Sequence, residues 1–226
     1  MENLKKLAGI EAAKFIRADM IVGLGTGSTA AFFVEEAARR VREEDLKITS
    51  VTTSYATKLL AESLGMKVSS FESVPYVDLT VDGVDEFDPA LNGIKGGGAA
   101  LLMEKIVAVN SRDIIWIADE HKQVQQLGGF PLPVEVVQFG AEKLFSKFDE
   151  VGYHPAWRVK SDGGRLITDQ GNFIIDLHLG KISDAGALAS ELKLQVGVVE
   201  HGLFLNLAQK IILARQEGIE IFSRQD

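Results

Sequence analysis

Residues 20–24, MIVGL, form a short uncharged run that passes directly into Gly25-Thr26-Gly27-Ser28-Thr29 and then into residues 30–42, whose pattern is helical. A buried strand, a glycine turn and a helix start, in that order, expose backbone N–H groups and the positive end of a helix dipole to an anion. Ser28 and Thr29 add hydroxyl donors at that point, or cap the helix. The same alternation continues along the chain. Residues 4–16 carry apolar side chains at helical spacing. Strands are expected at 47–52, 67–71, 77–81 and 113–118, with a helix after Ser54 that Gly65 closes. Strands alternating with helices belong to the α/β class, where ligands bind beyond the carboxyl ends of the strands.

Two stretches sit at such addresses. The strand at 77–81 ends in Asp82-Gly83-Val84-Asp85-Glu86-Phe87-Asp88-Pro89. One Asp there is ordinary turn chemistry, but two acids in DGVD followed by two more exceed it. The spacing is not that of a calcium loop and no His is near, so no metal site is expected. Next comes Lys95-Gly96-Gly97-Gly98, running into a helix that contains Glu104. Glycines let a backbone approach a ligand, and Lys95 adds a positive charge. The helical neighbours of Glu104 are Ala100, Leu101, Val107 and Ala108, none of them charged. A carboxylate on such a face is either a half-exposed surface group or a base made stronger by desolvation. Lys122, after the strand at 113–118, is a further anion candidate or a solvated surface lysine.

Composition narrows the chemistry. Among 226 residues there is no cysteine, so disulfides and thiol nucleophiles are excluded. The net charge is −8 and no Lys/Arg block exists, which argues against nucleic acid. No uncharged run approaches the roughly 20 residues a membrane span needs. The mixed charges of the first twenty residues are unlike a signal peptide, and a cytoplasmic location is expected. The four histidines, 121, 154, 178 and 201, share no metal-ligand spacing. Gly25, Gly27 and Ala30 fit a dinucleotide fingerprint on paper, with Asp45 as the acid. Asp45 precedes its strand instead of ending it, so the structural context of that motif is missing.

From Pro131 the pattern changes to strand (134–139), helix (141–148), strand (156–160), strand (173–179), helix (184–192) and strand (196–200). That order is the ferredoxin-like split motif. A closing helix at 205–216 and a last short strand at 219–222 are expected to follow. The expected organisation is α/β: a Rossmann-like parallel sheet domain of 1–129 plus 202–226, and a smaller ferredoxin-like α+β domain of 130–201.

GLGTGSTA, TTSYAT, DGVDEFDP, KGGGAALLMEKIVA, PVEVVQFG, GNFIIDLHLG and GVVEHGLF occur in this order and cover almost the whole chain. Together they resemble the ribose-5-phosphate isomerases of the A type. The resemblance implies metal-independent and cofactor-independent interconversion of ribose 5-phosphate and ribulose 5-phosphate through an enediolate, in the non-oxidative pentose phosphate pathway. It implies Glu104 as the base, Asp82 as the acid serving the sugar oxygens with Asp85 beside it, and Lys95 as the cation that stabilises negative charge on oxygen. It implies substrate contacts from Thr26, Gly27, Ser28 and Thr29, from Asp82, Gly83, Val84 and Asp85, from Lys95, Gly96, Gly97 and Gly98, and from Lys122. Lys5 is a weaker candidate for a phosphate contact, and Thr53-Ser54 receives no role. A sugar phosphate is the implied partner, with no nucleic acid and no membrane, and the family's habit implies a homodimer or homotetramer. A non-catalytic sugar-phosphate sensor, an amino-sugar phosphate deaminase and a transferase are the competing readings. The first would bind without turnover, the second would release ammonia and the third would form an acyl-enzyme at a glutamate.

Overall fold

The computed structural model describes residues 2–224. The chain divides into two compact units, Met1–Val84, Met103–Gln123 and Asn206–Asp226 in the first, Asp85–Leu102 and Val124–Leu205 in the second. Residues 85–102 therefore pack within the second unit, whereas the sequence pattern suggested a continuous 1–129.

The first unit contains α1 (Glu2–Ala13), β1 (Ile21–Leu24), α2 (Ser28–Glu43), β2 (Thr49–Thr52), α3 (Tyr55–Ser63) and β3 (Val77–Gly83). In the second unit, β4 (Glu86–Phe87) and β5 (Gly93–Ile94) follow. The chain returns to the first unit within α4 (Leu101–Val109), which leads into β6 (Ser111–Asp119). The second unit continues with β7 (Leu132–Val136), α5 (Ala141–Glu150), β8 (Pro155–Trp157), β9 (Phe173–Leu177), α6 (Ala185–Lys193), β10 (Val198–His201) and β11 (Leu203–Phe204). The first unit closes with β12 (Lys210–Arg215) and β13 (Gly218–Ser223).

The large sheet has the order β13-β12-β6-β3-β1-β2, parallel except for the β12–β13 hairpin. Strand order reverses between β1 and β3, so the crevice of this sheet opens beyond their carboxyl ends. Small side chains let α1 lie close to α2, and a Cβ on Gly9 would stand 2.7 Å from the Phe33 amide nitrogen. Ala8, Ala12, Phe33, Val34 and Ala37 of these helices are fully buried against Val22, Leu24 and Val81 of the sheet. Burial of a side chain such as Phe33 contributes about 2–3 kcal/mol. Elsewhere in the unit, Val107 of α4 packs with Val51 and Val77.

In the second unit, β7-α5-β8-β9-α6-β10 forms an antiparallel sheet of order β10-β7-β9-β8, the ferredoxin-like arrangement. Leu144 and Phe148 of α5 and Leu188 and Leu192 of α6 fill the core beneath Val134, Val136, Ile175 and Leu177. A three-stranded sheet, β11-β5-β4, completes the unit.

Two elements differ from the sequence pattern. Residues 205–216 contain β12, parallel to β6, and no helix. Ile211, Ile212, Leu213 and Ala214 are all fully buried, as in a central strand covered on both faces. A short uninterrupted apolar run satisfies helix and strand equally, and only its neighbours decide between them. The strand expected at 67–71 is a single bridge, Ser50 to Val68, followed by a 3-10 turn at Phe71–Ser73.

Candidate active site

In the first unit, the turn after β1 is built around Asp82. The backbone of Thr26 donates to Asp82 Oδ1 at 2.9 Å, and Gly83 donates to the same oxygen at 2.7 Å. Only glycine fits at position 25, because a Cβ there would lie 2.3 Å from Asp82 Oδ1 and 2.5 Å from its Cα. Gly27 then takes φ 100°, and α2 begins at Ser28. Asp82 itself is 2% exposed, whereas Gly27 and Ser28 are exposed and Thr26 and Thr29 half-buried.

Thr53 and Ser54, to which the sequence assigns no role, hold this turn from below. Thr26 Oγ1 lies 2.8 Å from both Thr53 Oγ1 and Ser54 Oγ. Thr57 Oγ1 donates to the Gly25 carbonyl at 2.9 Å, and the Thr57 backbone N–H donates to Ser54 Oγ at 3.1 Å, capping α3. Lys5 of α1 reaches Ser28, Nζ to Oγ at 2.8 Å. The weaker lysine candidate is thus joined to the loop. No short-range sequence signal marks that pairing, because 23 residues separate the partners.

Glu104 is 4% exposed and stands in the first turn of α4. Three residues on, Val107 Cγ1 would be 3.1 Å from a Cβ on Gly23, so this helix face meets β1. Glu104 lies about 4.5 Å nearer the helix start, at ~1.5 Å per residue. The helix leads into β6 and so runs opposite to it, which directs Glu104 toward the carboxyl ends of the parallel strands. Lys122 follows β6 at the same ends, half-buried in a 3-10 turn that Asp119 caps. The dinucleotide alternative fails on geometry. Asp45 lies in the connection before β2, 84% exposed and paired with Lys47.

In the second unit, Asp85 and Lys95 flank the small sheet. Asp85 N–H donates to the Ile94 carbonyl at 2.9 Å, and Lys95 N–H donates to the Gly202 carbonyl at 2.9 Å. The Lys95 side chain is 3% exposed, with Nζ 5.4 Å from the centre of the Phe204 ring. Asp85 Oδ2 accepts the Gly97 N–H at 2.7 Å. Gly96 has φ 109°, Ala99 has φ 62°, and the Ala99 N–H donates to the Gly96 carbonyl at 3.0 Å, which closes the turn. Gly97 and Gly98 are exposed, and Val84, next to Asp85 in sequence, is buried.

The remaining acids of DGVDEFDP have separate tasks. The Glu86 carboxylate, 3% exposed, accepts backbone N–H groups of Gly128, Gly129 and Phe130 at 3.3, 3.2 and 2.7 Å. Asp88 Oδ1 accepts from Ala90 and Asn92 at 3.0 and 2.9 Å and shapes the turn before β5. Among the described residues, no group of three or more His, Cys, Asp or Glu side chains is arranged to hold a metal ion.

Known proteins share this sequence and fold. The family model for ribose 5-phosphate isomerase A (phosphoriboisomerase A) matches residues 49–218. A ribose-5-phosphate isomerase A of Lactococcus lactis subsp. cremoris is 58% identical over 224 residues, 99% of this chain and 100% of that protein. A ribose-5-phosphate isomerase A of Streptococcus suis is 60% identical over 225 residues, 100% of both chains. A D-ribose-5-phosphate isomerase solved in complex with phospho-erythronic acid superposes with a TM-score of 0.96 at 38% identity over 99% of both chains. The ribose 5-phosphate isomerase A of Methanocaldococcus jannaschii gives a TM-score of 0.94 at 36% identity, over 98% of this chain and 99% of that one.

Proposed function

The chain belongs to the ribose 5-phosphate isomerase A family, and on that premise we propose that its own residues interconvert ribose 5-phosphate and ribulose 5-phosphate through an enediolate. One observation carries the assignment of residues. Asp82, Lys95 and Glu104, all charged types, are only 2, 3 and 4% exposed, each beside or within a glycine loop or helix start. Such residues are almost never so buried unless paired or used.

Starting from the aldose, Glu104 removes the proton from C2 of the open-chain sugar. The C2–H electron pair forms the C1–C2 double bond, and the carbonyl pair moves onto O1. Lys95 offsets the negative charge that develops on oxygen. Asp82 serves the proton exchange between O2 and O1, and protonated Glu104 returns its proton to C1, completing the ketose. One carboxylate suffices for both carbons if the intermediate is shielded from water. Asp85 acts by holding the Gly97 N–H. For the phosphate we assign Ser28, Thr29 and the first turn of α2, with Lys5 at Ser28 and Lys122 as the second cation. No metal or other cofactor enters these steps.

The test is Glu104→Gln, which keeps the shape and removes the base. Turnover should fall by roughly a hundredfold to ten-thousandfold, as loss of a general base does, while phospho-erythronic acid still binds. Near-native turnover by the folded variant would overturn the assignment. Chelation with EDTA should leave the wild-type rate unchanged, and binding of ribose 5-phosphate without ribulose formation would favour a sensor instead.

We also infer a homo-oligomer, dimer or tetramer, acting in the cytoplasm as part of pentose phosphate metabolism. In support, the second unit exposes Phe139 at 96%, Val196 at 95% and Leu194 at 82%. A backbone hydrogen bond from Val137 N–H to the Gly197 carbonyl, 2.9 Å, sets the first two of these segments side by side. Contiguous exposed apolar side chains mark association surfaces. No helix among the described residues is long and apolar enough to cross a membrane.

A further inference from the structure

We propose that Arg158 is a positioning residue for the reaction, setting the direction of the Gly98 N–H through the carbonyls of the glycine loop. This deepens the function proposed above and rests on its assignment of Gly96, Gly97 and Gly98 to the substrate. Arg158 follows β8, and its guanidinium is used on two sides. Nε and Nη2 donate to Asp176 Oδ2 and Oδ1, both at 2.5 Å, a bidentate pair to a carboxylate on β9. The remaining nitrogen, Nη1, donates to the Gly97 carbonyl at 2.9 Å and the Gly96 carbonyl at 3.2 Å. Both side chains of the pair are largely buried, at 17% and 13% exposure.

A pair that only tied β8 to β9 would need the first contact alone. The second fixes the peptide planes of the glycine loop. The Gly96–Gly97 peptide is gripped at both ends, its carbonyl by Arg158 and its N–H by Asp85 Oδ2. In the next peptide, Arg158 holds the Gly97 carbonyl. A trans peptide directs its N–H opposite to its C=O, so the Gly98 N–H is turned away from Arg158. Ala99 follows with φ 62°, a conformation that costs energy for a residue with a Cβ and so must be imposed by its surroundings. Lysine cannot replace this arrangement, because a point charge lacks the planar fork that spans a carboxylate and two carbonyls together.

The experiment compares Arg158→Lys and Asp176→Asn with wild type. Three quantities are read: kcat and KM for ribose 5-phosphate, the inhibition constant of phospho-erythronic acid, and amide hydrogen exchange over residues 96–99. With Arg158→Lys, kcat should fall by about tenfold to a hundredfold, the scale of misplacing a contact in the transition state. KM should change far less, and inhibition should weaken in step with kcat/KM. Asp176→Asn leaves the guanidinium present and should give a smaller loss of the same kind; it also tests the idea if Arg158→Lys does not fold. A folded Arg158→Lys enzyme with native kcat and native inhibition overturns the inference, as does a loss confined to KM. If phospho-erythronic acid fails to slow exchange at 96–99 in wild type, the loop's assignment to the substrate fails, whatever Arg158 does.

Discussion

Glu135 shows how far one buried carboxylate departs from its solution behaviour. It lies in β7 between Val134 and Val136 with no exposed surface. Oε1 accepts from Thr168 Oγ1 at 2.8 Å and Asn172 Nδ2 at 3.0 Å, whereas Oε2 is buried without a hydrogen-bond partner among the described residues. Burial pushes its pKa up, and the charges of Glu200 and Asp169 push the same way, against the two hydrogen bonds. The folded chain therefore holds this proton more tightly than the unfolded chain. Its contribution to stability is present below the unfolded carboxylate range and is lost as pH rises through the folded value. Glu135→Gln removes that dependence, so the variant should gain stability relative to wild type as pH rises from about 4 to about 7. Urea midpoints at the two pH values check it, and a difference independent of pH would contradict it. The acids of DGVDEFDP teach the complementary lesson. Their clustering at a strand end was legible, but Glu86 and Asp88 accept backbone N–H groups of nearby segments. A carboxylate's task depends on which N–H groups face it, and spacing does not encode that.

Among the elements, the turn between β1 and α2 depends on a neighbour that does not bind substrate in the proposed mechanism. The hydroxyls of Thr53, Ser54 and Thr57, at the start of α3, hold Thr26 and the Gly25 carbonyl. Thr57→Val keeps the shape and deletes the hydroxyl. It should cost about 1–3 kcal/mol, because a buried carbonyl loses its donor. KM for ribose 5-phosphate should rise more than kcat falls, since the loop assigned to the phosphate loosens. Denaturant unfolding and steady-state kinetics measure the two effects, and unchanged KM would separate this bracket from binding. The TTSYAT motif was visible in the chain as a cluster of hydroxyls. Its purpose was not, because Thr26 and Thr53 are 27 residues apart. Misreading β12 as a helix has the same origin: the strand is decided by its pairing with β6, 95 residues earlier in the register Lys210 to Ile115.

For the whole molecule, charge and association matter most. A net charge of −8 repels a sugar phosphate at long range, so local cations must offset it. Lys5 at Ser28, Lys95 and Lys122 are the cations we propose for that task. The apolar patch of Phe139, Leu194 and Val196 is the surface we expect between copies. Sedimentation of wild type should show a mass above that of one chain, and Phe139→Ser with Val196→Ser should lower it. A wild-type monomer at micromolar concentration would refute the oligomer, and a double variant of unchanged mass would place the interface elsewhere.

Local chemistry determined much of this protein directly from its residues. The strand–glycine–helix units, the ferredoxin-like order of elements, and the uncharged helical neighbours of Glu104 after KGGG all follow from periodicity and turn residues within a few positions of one another. Tertiary structure decided the rest: the strand identity of residues 210–215, the inclusion of 85–102 in the second unit, the bracket beneath Thr26, and the two-sided use of Arg158. Each of these depends on groups distant in sequence meeting in the fold, and where they are buried an unmade hydrogen bond is costly. Periodicity registers which face a residue prefers, and only folding determines what it finds there.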